Sequence, residues 1–282
     1  MHTNATFSLL LPVYAGDNAE FLRLAFESSV NDQTLRPTEA VIVQDGPVPV
    51  ELATELERIE RESPIPVTIV RLPTNQGLTR ALNVGLDACT QPVVARMDAD
   101  DVSRPDRFER QWAMLCDGFD LVGTGMAEFE HDPTRPVSDR IPPVGAERIR
   151  NHARTHNPFN HPTMMYRISA LDRVGRYEPF GKMEDYWLGV RLIASGAWVE
   201  NIADPLVLYR VGAGAFARRG GWREARTEWK LQGAMRKIGF ITRGEYLRNV
   251  LMKGAYRLMP ASLKRVLFRR FVSGGLPGDR AA

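Results

Sequence analysis

The sequence predicts an α/β fold on a largely parallel sheet, and three observations carry that prediction. From Phe7 to Met97, short β-rich runs alternate with helix-period segments, the signature of successive βα units. Each of the four runs ends in polar or acidic residues, as strands do when their carboxyl ends face a ligand crevice. The 282 residues are 44% hydrophobic and 25% charged, a globular composition that excludes disorder, collagen-like repeats and low complexity and leaves ample chain for a core.

The elements follow in order. Phe7 to Val13 is the first strand, and Ala19 to Val30 the first helix, with Phe21, Leu24, Ala25 and Ser28 on one face. Ala40 to Gln44 and Val67 to Leu72 are the next strands. The helix Val50 to Glu62 lies between them, with Leu52, Leu56 and Ile59 spaced to face the sheet. A third helix, Leu78 to Ala88, leads to the strand Pro92 to Met97. Beyond Met97 a helix is expected over Arg104 to Cys116 and a strand over Leu121 to Phe129. A Pro-rich connection at Pro133 to Pro143 and a less regular stretch then lead to a helix over Glu184 to Ala194. Two cysteines, Cys89 and Cys116, cannot build a disulfide framework and fit a reducing cytoplasm. No run approaches the ~20 apolar residues of a membrane span, and no secretory leader is indicated.

The net charge of +3 conceals an asymmetry. Up to Tyr209 there are 20 basic and 30 acidic residues, and from Arg210 onward 17 basic and 4 acidic. A basic tail on an acidic body points to an anionic partner.

Candidate chemistry gathers after the strands. Asp98, Asp100 and Asp101 would repel one another unless a cation binds, and hard oxygen ligands favour Mg2+ or Mn2+ touching a phosphate. The competing reading is a helix N-terminus, with Asp100, Asp101 and Asp106 capping the Arg104 helix. Farther on, Glu184 and Asp185 precede Tyr186, Trp187 and Leu188. A carboxylate beside an apolar wall tends toward a raised pKa and suits a general base; a simple helix-dipole role is the alternative.

Five segments in order, Leu-Leu-Pro-Val-Tyr at 10 to 14, Val-Gln-Asp-Gly at 43 to 46, Asn75-Gln-Gly77 with Arg80 and Asn83, Ala-Arg-Met-Asp-Ala-Asp-Asp at 95 to 101 and Met-Glu-Asp-Tyr-Trp-Leu at 183 to 188, resemble glycosyltransferase family 2. The likeness covers about Phe7 to Arg210 and extends, through Phe159 to Arg167, to members that build bacterial cell-surface polysaccharides. It implies a GT-A fold over 1–210, with a nucleotide-binding half to about 143, an acceptor half over 144–210, and a basic helical region over 211–282. It implies inverting, metal-dependent transfer from a nucleotide diphosphate sugar, most simply a UDP-sugar. By the same resemblance, Pro12, Tyr14, Asp45, Asn75, Arg80, Asp98 and Arg210 would bind the donor and Asp100 with Asp98 the metal. Asp185 would be the base, with His161, Glu184 and Trp187 toward the acceptor. Gln44 stands where the family commonly has an acid.

Other readings fit less well. Gly212-Ala-Gly214-Ala-Phe-Ala217 matches a dinucleotide fingerprint but leads into Arg218, Arg219 and basic helices rather than a βαβ unit. A sugar nucleotidyltransferase would carry a glycine-rich N-terminal phosphate loop, and processive synthases a Gln-x-x-Arg-Trp motif with membrane spans; single additions are therefore expected. A silent nucleotide-sugar-binding subunit would not need these acids, and every expected one except that at 44 is present. In the tail, Leu247, Val250, Leu251 and Leu258 share one side of a helix, with Arg248, Lys253 and Arg257 largely opposite. After Pro260, Leu263, Val266, Leu267 and Phe271 repeat the arrangement beside Lys264, Arg265, Arg269 and Arg270. Such helices lie in an anionic membrane interface, which here would be the cytoplasmic face carrying a lipid-linked acceptor. Nucleic acid is not expected, because aromatic stacking platforms are missing.

Overall fold

A computed structural model describes residues 5–212 and 222–258. The chain forms two compact units, 1–213 and 214–282. In the first, β1 (Ser8–Tyr14), α1 (Ala19–Val30), β2 (Glu39–Asp45), α2 (Val50–Glu62), β3 (Val67–Arg71), α3 (Leu78–Ala88) and β4 (Val93–Arg96) follow the expected alternation. They are followed by β5 (Val102–Ser103), α4 (Arg107–Cys116), β6 (Leu121–Phe129) and β7 (Ser138–Arg140), then α5 (Ala146–Ala153) and a 3-10 turn at His161–Thr163. β8 (Met165–Arg167), α6 (Ile168–Arg173), α7 (Glu184–Ala194) and β9 (Val199–Arg210) complete it.

The strands lie in the order β3-β2-β1-β4-β8-β6-β9-β5, with β7 on β6. The first four are mutually parallel, and β8 enters antiparallel to both β4 and β6. Because the chain winds outward from β1 to β3 and returns to the other side of β1 as β4, the crevice between their carboxyl ends is a topological switch point. Ser8 to Val13 are all buried, as a strand covered on both faces by helices must be. Leu9, Leu11, Ile42 and Ala95 pack with Leu22, Phe26, Leu52 and Leu56 in one core. On the other face α3 lies so close that a Cβ on Gly85 would meet Leu10 Cδ1 at 2.3 Å and Val43 Cγ2 at 2.9 Å, so any larger residue would have to displace these buried side chains.

Local chemistry sets the ends. Asn18 caps α1 by accepting from the Glu20 and Phe21 amides at 2.9 and 3.2 Å. The helix expected from Arg104 starts at Arg107, because Val102 and Ser103 pair with Leu208 and Val207 and the Arg104 amide donates to Leu206 O at 2.9 Å. The less regular stretch contains α5, β8 and α6, and beyond α7 comes a 12-residue strand, β9, that the sequence reading did not anticipate. β9 runs parallel to β6 with register shifts around Gly125, so strands from both sides of Pro143 belong to one sheet. In the second unit, α8 (Trp222–Lys237) and α9 (Arg243–Leu258) are joined by the buried Asn249 amide donating to Gln232 Oε1 at 2.9 Å. The sequence readings that involve residues 213–221, Arg218 and Arg219 among them, and the helix expected after Pro260 lie outside the described residues.

Candidate active site

Two cavities open at the carboxyl ends of β1, β2 and β4. The first, about 430 Å³, is lined by Pro12, Val13, Tyr14, Asp17, Asp45, Asn75, Gly77, Leu78, Ala81, Asp98, Ala99, Asp100 and Tyr209. The second, about 420 Å³, is lined among others by Arg96, Asp98, Asn157, His161, Glu184 and Asp185. Leu78, Asp98 and Tyr209 stand in both walls. The sequence-predicted Pro12, Tyr14, Asp45, Asn75, Asp98 and Asp100 thus converge on one cavity, and Asp98, His161, Glu184 and Asp185 on its neighbour.

The first cavity is acidic. Asp98, Asp100 and Asp101 each offer an oxygen within 4.8 Å of the others. Burial, then the charge of Asp98, pushes Asp100 up to about 6, and the same causes lift Asp101 well above the carboxylate range. Asp101 Oδ1 accepts the Arg210 amide at 2.9 Å, while its buried Oδ2 has no hydrogen-bond partner among the described residues. The side chain of Asp106, the residue before α4, makes no capping bond, and Asp101 Oδ1 is bonded to β9 rather than to α4. Crowded carboxylates with an unsatisfied buried oxygen fit a hard divalent cation. Asp98 and Asp100, which line the cavity, would hold it.

Two further carboxylates shape this wall. Asp45 is buried and accepts the Gln76 and Gly77 amides at 2.6 and 2.9 Å, clamping the loop that carries Asn75. Gly46, at φ +88°, lets that loop pass where a Cβ would meet Asn75 N at 2.5 Å. The Gln44 amide donates to Gly46 O at 3.0 Å, so it stabilises the same turn. Asp17, which the sequence reading passed over, accepts the Tyr14 amide at 2.9 Å and is pushed up to about 7 by burial, with Asp100 and Asp98 adding to the shift.

In the second cavity, Asp185 sits in the first turn of α7. Its Oδ2 accepts the Asn157 amide at 2.6 Å and its Oδ1 the Tyr186 backbone N–H at 2.7 Å. Burial raises its pKa despite these bonds. Beside it, Glu184 is pushed up to about 7 by burial and then by Asp185, and its buried Oε2 has no hydrogen-bond partner among the described residues. His161 is held to the Tyr177 hydroxyl at 3.2 Å. Burial, then the charge of Arg96, drives its pKa well below the ordinary range, so the imidazole is neutral. Arg96, only 1% exposed, pairs with Asp98 and ties the two cavities together electrostatically. A charge inside an otherwise apolar strand was the sequence signal that could have found it.

Three sequence-predicted residues line neither cavity. Arg80 is exposed on α3; Leu78 and Ala81 face the cavity, and the intervening helical turn carries Arg80 away from it. Trp187 is buried against Phe180, with its indole N–H donating to Glu178 at 2.7 Å. It follows Asp185 by two residues and so leaves the other side of α7. Arg210 lies between the Phe21 and Phe129 rings, 3.7 and 4.5 Å from their centres, and donates from Nε to Asp100 O at 3.0 Å. It braces the acidic turn from behind.

A parallel switch-point crevice with a carboxylate cluster in one cavity and a buried carboxylate in the next is the layout of a GT-A transferase. Residues 8–175 match the family model for glycosyl transferase family 2, and the chain belongs to that family and is a glycosyltransferase. An uncharacterised glycosyltransferase of Haemophilus influenzae is 38% identical over 94% of this chain and 98% of its own length. The amylovoran biosynthesis glycosyltransferase AmsE of Erwinia amylovora is 35% identical over 94% and 98%. An Escherichia coli protein named as a UDP-Gal:α-D-GlcNAc-diphosphoundecaprenol β-1,3-galactosyltransferase is 29% identical over 94% and 96%. The GT-A fold is shared with TarS of S. aureus bound to UDP-GlcNAc (TM-score 0.63, 14% identity, 95% of this chain and 72% of that one). It is shared also with a Pyrobaculum calidifontis mannosyltransferase bound to GDP-mannose and Mn2+ (TM-score 0.64, 14% identity, 95% and 80%).

Proposed function

We propose that the enzyme transfers one sugar per encounter, with inversion, from a nucleotide diphosphate sugar to a lipid-linked precursor of a cell-envelope or extracellular polysaccharide. The observation that carries this reading is the shared Asp98 wall, which sets an acidic cavity at the switch point directly beside the cavity of Asp185. Pro12, Tyr14, Asp45 and Asn75 bind the nucleoside of the donor in the first cavity, and Asp98 and Asp100 hold Mg2+ or Mn2+. The metal supplies positive charge to the leaving diphosphate. Asp185 accepts the proton of the acceptor hydroxyl, whose oxygen bonds to the anomeric carbon as the carbon–diphosphate bond breaks and its electron pair leaves with the phosphate. Glu184 and neutral His161 contact the acceptor sugar. Uracil is the favoured base because both the E. coli relative and the TarS complex are named with UDP-sugars.

The second unit is read as a peripheral anchor to the inner face of the membrane. Among the described residues no helix is long and apolar enough to cross a membrane. Leu247, Leu251 and Met252 on α9 are 58%, 62% and 66% exposed, in a region rich in Lys and Arg. A thermal-shift screen of nucleotide sugars with and without Mn2+ tests the donor reading, since a ligand of the native state raises its apparent stability. Incubation of the best donor with a diphospholipid-linked sugar, followed by NMR of the product anomer, tests transfer and inversion. Retention of the anomeric configuration would overturn the role given to Asp185.

A further inference from the structure

Charge is distributed unevenly in the second cavity. Asp98, Glu184 and Asp185 stand with the 1% exposed Arg96, already paired to Asp98. The two other cations in its wall, Arg140 on β7 and Lys182 on the loop before α7, are exposed. Arg140 approaches Glu128 only to 3.6 Å, beyond direct hydrogen-bond range, and keeps 44% of its side chain exposed. Its guanidinium lies 5.9 Å from the ring centre of Tyr209, the residue shared by both cavities. Lys182 has no ion-pair partner among the described residues. Among the described residues, no Lys or Arg lines the first cavity. Among the described residues, the solvent-facing cations at the two cavities therefore belong to the one that receives the acceptor.

We propose that Arg140 and Lys182 bind a phosphate or diphosphate carried on the acceptor sugar, so that its hydroxyl end faces Asp185 and its anionic end faces solvent. The inference rests on the lipid-linked reading of the acceptor and sharpens it: the diphosphate, rather than the lipid chain, is what the catalytic unit recognises. A guanidinium with donors to spare and an unpaired ammonium form charge-assisted hydrogen bonds to phosphate oxygens. At an exposed rim they do so without the desolvation cost of a buried charge. The buried carboxylates would repel the same anion, which fixes the direction in which the acceptor enters.

The test uses the full chain with Mn2+ and three acceptors bearing one sugar on the same short alkyl chain, joined through a glycosidic bond, a monophosphate or a diphosphate. The affinity for the nucleoside diphosphate with Mn2+ is measured in parallel by calorimetry. The diphosphate acceptor should have the lowest KM. Arg140→Gln and Lys182→Gln should each raise that KM about tenfold, as expected for a lost charge-assisted bond, and narrow the advantage over the neutral acceptor. Lys182→Arg should restore most of the loss, and nucleotide affinity should stay within about twofold. An equal rise for all three acceptors, or no rise, overturns the inference. A parallel loss of nucleotide affinity also overturns it, by assigning the two cations to the donor. Transfer to none of the three, with nucleotide binding intact, overturns the lipid-linked reading and this inference with it.

Discussion

Asn157 donates its side-chain amide to Asp185 Oδ2 at 2.6 Å, across a separation of 28 residues. With the Tyr186 backbone N–H on Oδ1, the bond fixes the rotamer of the carboxylate while leaving lone pairs for a substrate hydroxyl. Replacing Asp185 by Asn keeps the size of the side chain and removes the proton acceptor. Transfer should fall by ~10²- to 10⁴-fold, with the affinity for nucleotide and Mn2+ nearly unchanged because the donor wall is built by other strands. Turnover near that of the wild type would remove Asp185 from the mechanism.

Asp98, Asp100 and Asp101 crowd within 4.8 Å, and among the described residues no Lys or Arg lines the cavity that Asp98 and Asp100 edge. A diphosphate entering it meets charge of its own sign unless a cation intervenes. Excess EDTA should therefore abolish both turnover and tight nucleotide binding, Mn2+ or Mg2+ should restore both, and Asp100→Ala should reproduce the chelated state. Full activity in EDTA would refute the metal role.

Glu184 sets a pH dependence whose sign can be stated in advance. Burial and Asp185 raise its carboxyl from 4.5 to about 7 in the folded protein, so the native state holds a proton that the unfolded chain has released. The stabilisation is complete below about pH 4.5, declines as pH rises, and is gone above about 7, with an upper bound of about 3 kcal/mol. Without ligands, Glu184→Gln should flatten this stretch of the stability curve and make the protein more stable than wild type above pH 7. Urea titrations at several pH values measure the difference, and parallel curves for the two proteins would contradict it.

Local pattern made the first half of the fold readable. α2 and α3 each bury the face spaced at 3 and 4 residues, whereas α1 buries Leu22 and Phe26 with Ala25 and leaves the expected Phe21 and Leu24 only partly covered; β1 is apolar from Leu9 to Val13. β9 was not readable because its pairing with β6 is non-local and its register shifts near Gly125, Ala203 and Pro205. Two-residue β5 is a strand only because Leu208 and Val207 lie opposite. The same division runs through the site. The acids at 98–101 and 184–185 stand out as clusters, whereas Asp17, Arg96 and Asn157 acquire their roles from neighbours that folding brings to them. Trp187 and Arg80 line neither cavity, because nearness in sequence on a helix does not imply a common face.

Arg107 shows how much of the site's support lies in a residue with no chemical role. It is fully buried and donates to Arg96 O at 2.6 Å, Pro162 O at 3.0 Å, Ser103 Oγ at 3.0 Å and Gln111 Oε1 at 3.1 Å. Burial, with repulsion from Arg96, lowers its pKa to about 9. Arg107→Met keeps much of the volume and strands these acceptors, so it should destabilise the protein by about 3 to 5 kcal/mol. A urea midpoint within a few tenths molar of wild type would show that the network relaxes without cost.

Leu247 and Leu251 lie one turn apart on α9, 58% and 62% exposed, while Asn249 between them is buried and bonded to Gln232 on α8. Asn249 is roughly 160° around the helix from Leu251, so the apolar pair occupies the side turned away from α8. Exposed leucines in a strongly basic region suit an interface that combines acyl chains with anionic headgroups, each nearby cation contributing about 1 kcal/mol. The full chain should float with liposomes containing anionic lipid at low salt and much less with neutral ones. Leu247→Ser with Leu251→Ser should reduce flotation while leaving the melting temperature and nucleotide binding in place, because neither side chain is buried. Raising the salt should weaken the interaction through screening, and the double variant should be more salt-sensitive because less of its binding is apolar. If wild type and variant float equally, or neither floats, these leucines do not dock a membrane.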